Sequence, residues 1–91
     1  MKFTYKDKEI ELKYSLRAMM MYENVTDGKE YPTTLTDMIT LMYCIVVTSS
    51  KDYSITFDEW IEYLDEHMEF LNEFTTWMGT IGQNQNKLKK D

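Results

Sequence analysis

Apolar residues in this chain alternate with polar ones in two short runs up to Tyr14, and from Ser15 onward spacings of three and four set the pattern. A strand turns successive side chains to opposite faces, whereas a helix returns to one face after three or four residues. The switch in spacing predicts a fold that is mainly α with a small N-terminal β-hairpin (α+β): the hairpin plus three or four packed helices. Phe3 and Tyr5 alternate with polar neighbours, as do Ile10, Leu12 and Tyr14, around a turn-like Asp7-Lys8, which sets the hairpin at 2–14. Two strands alone are marginal in water, so this hairpin has to lean on helices.

Ser15 is a good N-cap for a first helix over about 15–24. The Asp-Gly and Tyr-Pro pairs of 25–34 read as a loop. Thr34 and Asp37 then form a start resembling a capping box for a second helix over 35–48. Its spacing of Leu35, Met38, Ile39, Met42, Ile45 and Val46 marks it as the centre of the core. Thr56 and Glu59 make a fuller capping box opening 57–78, one helix or two with a break near Glu66–His67. Gly79 is a plausible helix end. The expected organisation is a single domain over 1–81 with a polar flexible tail at 82–91.

Ninety-one residues suit one small domain with a thin stability margin, for which association with other chains is an ordinary remedy. The lone Cys44 excludes an internal disulfide and reads as a small buried hydrophobe. The N-terminus alternates charged with apolar residues, so it is not read as a secretory signal. The longest apolar run, at 41–47, is far short of the ~20 residues of a membrane span. A soluble intracellular protein is the expectation.

Charge is unevenly spread. Residues 52–86 carry eight acids and no Lys or Arg, within a net charge of -6. That balance argues against a grip on nucleic acid, which depends on neutralising phosphates. The residues for chemistry are sparse. His67 has no acid three positions before it, and one His with one Cys cannot build a zinc site. Glu62/Glu66 and Glu69/Glu73 are ordinary pairs for an acid-rich exposed helix. No calcium loop or phosphate loop is present. The reading is a non-enzymatic chain with no cofactor and no metal.

What stands out is the apolar stock: eight Met, seven Tyr, four Phe and two Trp. Three consecutive methionines, Met19, Met20 and Met21, cannot share one helical stripe. We expect Met21 and Tyr22 to pack inward with Ala18 and Val25, leaving Met19 and Met20 for a partner or a sister subunit. A second stripe late in the chain supplies Tyr63, Phe70, Phe74 and Trp77 as further protein-binding candidates. Met suits surfaces that accept imperfectly matched partners, and Tyr and Trp tolerate half-exposure.

The stretch YKDKEIELKYSLRAMMMYE resembles the tail assembly chaperones of long-tailed bacteriophages and prophages. Their hairpins commonly read K-x-Y/I-x-L-K/R-F/Y and the helix after them S/T-x-R/K-A-L, followed by a Glu. Here those positions are Lys8, Ile10, Leu12, Lys13 and Tyr14, then Ser15, Arg17, Ala18, Met19 and Glu23. LTDMITLMY and SITFDEWIEYLDE continue the order, so the resemblance covers about residues 3–78. Met at 19 departs from the family's more usual Leu. The resemblance implies a helical protein in the cytoplasm of a bacterial host that coats apolar segments of the tape measure protein. It also implies self-association into a homo-oligomer and a short form of the chain. A rival reading, drawn from the acids of 52–86, is an acidic inhibitor or adaptor that mimics nucleic-acid charge.

Overall fold

A computed structural model describes residues 1–29, 32–50 and 55–89, with the side chains of 81–89 excepted. The parts of the expected loops at 30–31 and 51–54 lie outside the described residues. The chain is mostly helical with an N-terminal antiparallel hairpin, in the order β1 (Lys2–Tyr5), β2 (Lys8–Glu11), α1 (Leu16–Val25), α2 (Leu35–Ser49), α3 (Phe57–Glu66), α4 (Met68–Lys89). Where the sequence predicts one domain over 1–81, contacts sort the chain into two compact units, Met1–Phe57 and Asp58–Asp91.

In the first unit the strands pair with Phe3 opposite Ile10 and Tyr5 opposite Lys8. Phe3, Ile10 and Leu12 are the buried side chains of the hairpin. The turn is Lys6-Asp7, one residue earlier than expected, and both have positive φ (49° and 66°). Paired left-handed residues are the signature of the two-residue type I′ turn, whose twist matches that of the strands. Neither residue is glycine or Asn, so the strand pairing holds a conformation that the turn sequence does not favour.

Ser15 caps α1 as expected, its Oγ accepting from the Ala18 N–H at 3.1 Å. The helix ends with Thr26 donating both N–H and Oγ1–H to the Tyr22 carbonyl. Asp27 and Gly28 follow with positive φ. Thr34 caps α2 through its Oγ1 and the Asp37 N–H (3.1 Å). The Asp37 carboxylate departs from the capping-box pattern. It accepts from the N–H and Oγ1 of Thr33 and from Lys29 Nζ at 2.6 Å. These bonds, led by that from Lys29, hold its carboxyl far below the usual carboxylate range.

Helix α1 packs on α2, and β2 touches α2. Leu41, Met42, Cys44, Ile45 and Val46 of α2 are buried, so this helix is the centre of the unit's core as its spacing predicts. Leu35, the first residue of that stripe, is exposed. Burial pushes the Cys44 thiol up to about 11, which makes it an inert hydrophobe near neutral pH. Tyr43 donates its hydroxyl to the Ile55 carbonyl at 2.7 Å and meets Phe57 edge-on.

In the second unit the break falls at His67, leaving α3 and α4 as separate helices. His67 N–H donates to the Leu64 carbonyl and Phe70 N–H to the His67 carbonyl, both three-residue spacings that tighten the chain at the junction. Gly79, expected to end the last helix, does not. Its φ is outside the left-handed region that a C-terminal cap uses, so it costs only about 1 kcal/mol as an interior glycine. Backbone expected to be a flexible tail from residue 82 is helical through Lys89. Lys90 and Asp91 lie outside the described residues.

Candidate functional site

Successive residues on a helix are turned by about 100°, and this decides where three consecutive methionines go. Ala18 and Tyr22 are the buried residues of α1 and define its inward direction. Met20 lies opposite that direction, while Met19 and Met21 sit about 80° to either side of it. Burial follows the geometry. Met20 is 56% exposed, and both its neighbours are half-buried. The expected inward packing of Met21 and Val25 is therefore corrected. Met21 flanks the core as Met19 does, and Val25, at the last turn, is exposed.

Leu16 shares the outward stripe with Met20, one turn earlier, and is 69% exposed. The sequence puts it on one stripe with Met19 and Met20 but does not single it out as a binding residue. The signal was present in the spacing of four between 16 and 20, which puts both on one line along the helix. Ser15, Leu16, Arg17, Met20, Met21 and Asn24 line a shallow open groove over this face, with apolar walls. At its N-terminal end Ser15 and Arg17 also border a second depression with Lys13, Thr48 and Ser49. Lys13 is anchored there by its main chain, whose N–H donates to Ser49 Oγ at 2.9 Å.

The inward side of α1 has its own peculiarity. The Tyr22 hydroxyl is buried and meets no hydrogen-bond partner among the described residues. Burial, seconded by the charge of Asp37, raises its pKa.

The late aromatic stripe turns out differently from the expected docking surface. Phe74 is 0% and Phe70 8% exposed, whereas Tyr63 and Trp77 are half-buried. Tyr63, Phe70 and Phe74 pack on Trp60, and the stripe packs along itself: Tyr63–Phe70, Phe70–Phe74 and Phe74–Trp77 ring centroids are 5.6, 5.8 and 5.5 Å apart. The turn at His67 is the cause. In one continuous helix Trp60 and Phe74 would be separated by roughly 21 Å of rise, yet their rings lie 6.4 Å apart. The chain folds back, and two stripes that would have faced apart close on each other. His67 stacks on Tyr63 at 4.2 Å and points Nδ1 at the Tyr63 carbonyl, which assigns the proton to that nitrogen. The Tyr63 hydroxyl has its pKa raised by burial first, then by the charges of Glu69 and Glu73.

The acids of this unit remain outside the cluster. Asp58, Glu62, Asp65, Glu66, Glu69 and Glu73 are exposed. Among the described residues no charged side chain is buried, and no three His, Cys, Asp or Glu come together in a way that could hold a metal ion. Among the same residues no helix is long and apolar enough to cross a membrane. Comparison of the chain with family models, with curated proteins and with solved structures returns no match.

Proposed function

We propose that this chain is a non-enzymatic phage tail assembly chaperone. It holds apolar helical segments of the tape measure protein against the outer face of α1 and self-associates. One observation carries the reading: Leu16 and Met20 stand outward on one line of α1, flanked by the half-buried Met19 and Met21. Apolar side chains on a groove-like helix face match the way amphipathic helices are received, and thioethers adapt to varied contours. The hairpin and first-helix motifs shared with tail assembly chaperones support the same reading. So does the acidic exterior of α3 and α4, because surface charge of one sign keeps a complex with a greasy client in solution.

Co-expression tests it. A tape measure protein that is insoluble alone should become soluble when produced with this chain and should co-purify with it. A client equally insoluble with and without the chain would end the proposal. The exposed acids of 58–73 favour one alternative, an acidic inhibitor or adaptor that mimics nucleic-acid charge. Inhibition of that kind fades at high salt, whereas apolar capture persists.

A further inference from the structure

We infer that the α1 groove selects its occupant by charge order: an amphipathic helix whose apolar stripe is flanked by acid at one end and base at the other. This rests on the reading of α1 as the client-binding face and goes beyond it by naming which helices fit. Arg17 lines the N-terminal end of the groove and Lys13 the adjoining depression that shares Ser15 and Arg17 with it, and neither side chain has an ion-pair partner among the described residues. Asn24 is the last residue in sequence to line the groove; beside it the C-terminal part of α1 carries the exposed Glu23, and the turn after the helix the exposed Asp27, also without such partners. Lys29, two residues past Asp27 in sequence, is committed to Asp37 at 2.6 Å. Leu16, Met20 and Met21 lie between the two ends.

The face is thus positive at one end, apolar in the middle and negative at the other. Its ten residues give it a length of about 15 Å. The positive end of the α1 dipole coincides with Lys13 and Arg17, which adds to the same polarity. Two or three turns of a docked helix span that length. Its acidic end belongs over Lys13 and Arg17, its basic end over Glu23 and Asp27. An open groove of this kind leaves an acyl chain half in water, whereas a helix lays a whole stripe into it. Complementary charges of this sort set register and reject wrong partners more than they add affinity.

The test uses the full chain and three synthetic helical peptides of about four turns with an identical Leu/Met stripe. One carries Glu at its first turn and Lys at its last, one carries the reverse charges, and one carries Gln at both. Acid and base can meet the groove in only one direction along the stripe. The sequence of each peptide is therefore also made in reverse chain order, so that both directions are sampled. Within at least one chain order, the charge patterns should differ about three- to tenfold in affinity. The difference should collapse in 1 M salt, where the screening length is about 3 Å. Lys13→Gln/Arg17→Gln leaves only the acidic end to discriminate and should shrink the difference without changing the ranking, and Lys13→Glu/Arg17→Glu makes both ends acidic and should flatten it, with the helical CD signal retained in both.

Equal affinity for all charge patterns at low salt would overturn the inference while leaving apolar capture intact. Absence of binding by every peptide would overturn both the inference and the reading of α1 beneath it. A chain that elutes as a dimer, and that Lys13→Glu/Arg17→Glu converts to a monomer, would make a second copy the occupant and overturn the assignment to a client helix.

Discussion

Helices α1 and α3 are alike in length, ten residues each, and each buries two side chains one turn apart: Ala18 and Tyr22 in the first, Trp60 and Leu64 in the second. They differ on the opposite side. Helix α3 turns Asp58, Glu62, Asp65 and Glu66 outward, whereas α1 turns Leu16 and Met20 outward. The inward pair fixes how each helix packs and is nearly silent about function. The outward residues are free of that duty, so their character records what the surface meets. An acidic face is stable in water alone. An apolar one is a liability unless something covers it.

The inward halves of the two helices are where the largest effects lie. Trp60 is fully buried and touches Tyr63, Phe70 and Phe74. Trp60→Ala should cost about 3–5 kcal/mol, enough to unfold much of a domain this size, read as loss of the cooperative urea transition. A variant that unfolds near the wild-type midpoint would mean that the aromatic cluster is not what holds α3 and α4. The equivalent change in α1 is gentler and has the opposite sign. Tyr22→Phe keeps the ring and removes a buried hydroxyl without a partner, so it should leave stability unchanged or raise it by about 1 kcal/mol. A clear drop in Tm would show that the hydroxyl has a partner after all, and that the inner side of α1 is more polar than its burial suggests.

A smaller effect is expected at the start of α2, against which α1 packs. Asp37 has its folded pKa lowered by Lys29 and Thr33. Its contribution is therefore present above the unfolded carboxylate value of about 4 and declines as pH falls below that. Asp37→Asn should lower Tm at pH 7 and reduce the difference in Tm between pH 7 and pH 3. Equal pH dependence in both proteins would remove Asp37 from the acid response.

How far the sequence foretold these elements depended on the range over which each is decided. The period-two run, the Ser15 and Thr34 caps and the α2 stripe are settled within four or five residues, and they appear where the spacing puts them. The turn is off by one because Lys6 and Asp7 take positive φ under the demands of strand pairing, which no local rule at those residues announces. Phe70 and Phe74, named as protein-binding candidates, are buried for a longer-range reason. Periodicity assumes a straight helix, and a break at His67 brings together residues 10 and 14 positions from Trp60. Gly79 was over-read, since a glycine ends a helix only where the backbone turns left-handed. The candidate face of α1 was half legible. Met20 was named as a binding residue, while Leu16, which falls on the same stripe, was not.

The least effect on stability belongs to the outer faces, and there the comparison between α1 and α3 can be broken outright. Leu16 and Met20 stand mostly in water, so Leu16→Asp or Met20→Asp should change stability by no more than about 0.5 kcal/mol. If the outer face of α1 is the working surface, either change should abolish solubilisation of the co-expressed tape measure protein. Charge reversal on α3, Glu62→Lys with Glu66→Lys, should leave that rescue intact while shifting the isoelectric point. The inhibitor reading demands the mirror image: α3 reversal destroys activity against a basic target, and Met20→Asp is silent. Both sets of variants keep their buried pairs, so a loss of function in either cannot be blamed on unfolding. The two helices share one packing plan, and the face whose alteration stops function is the one that carries it.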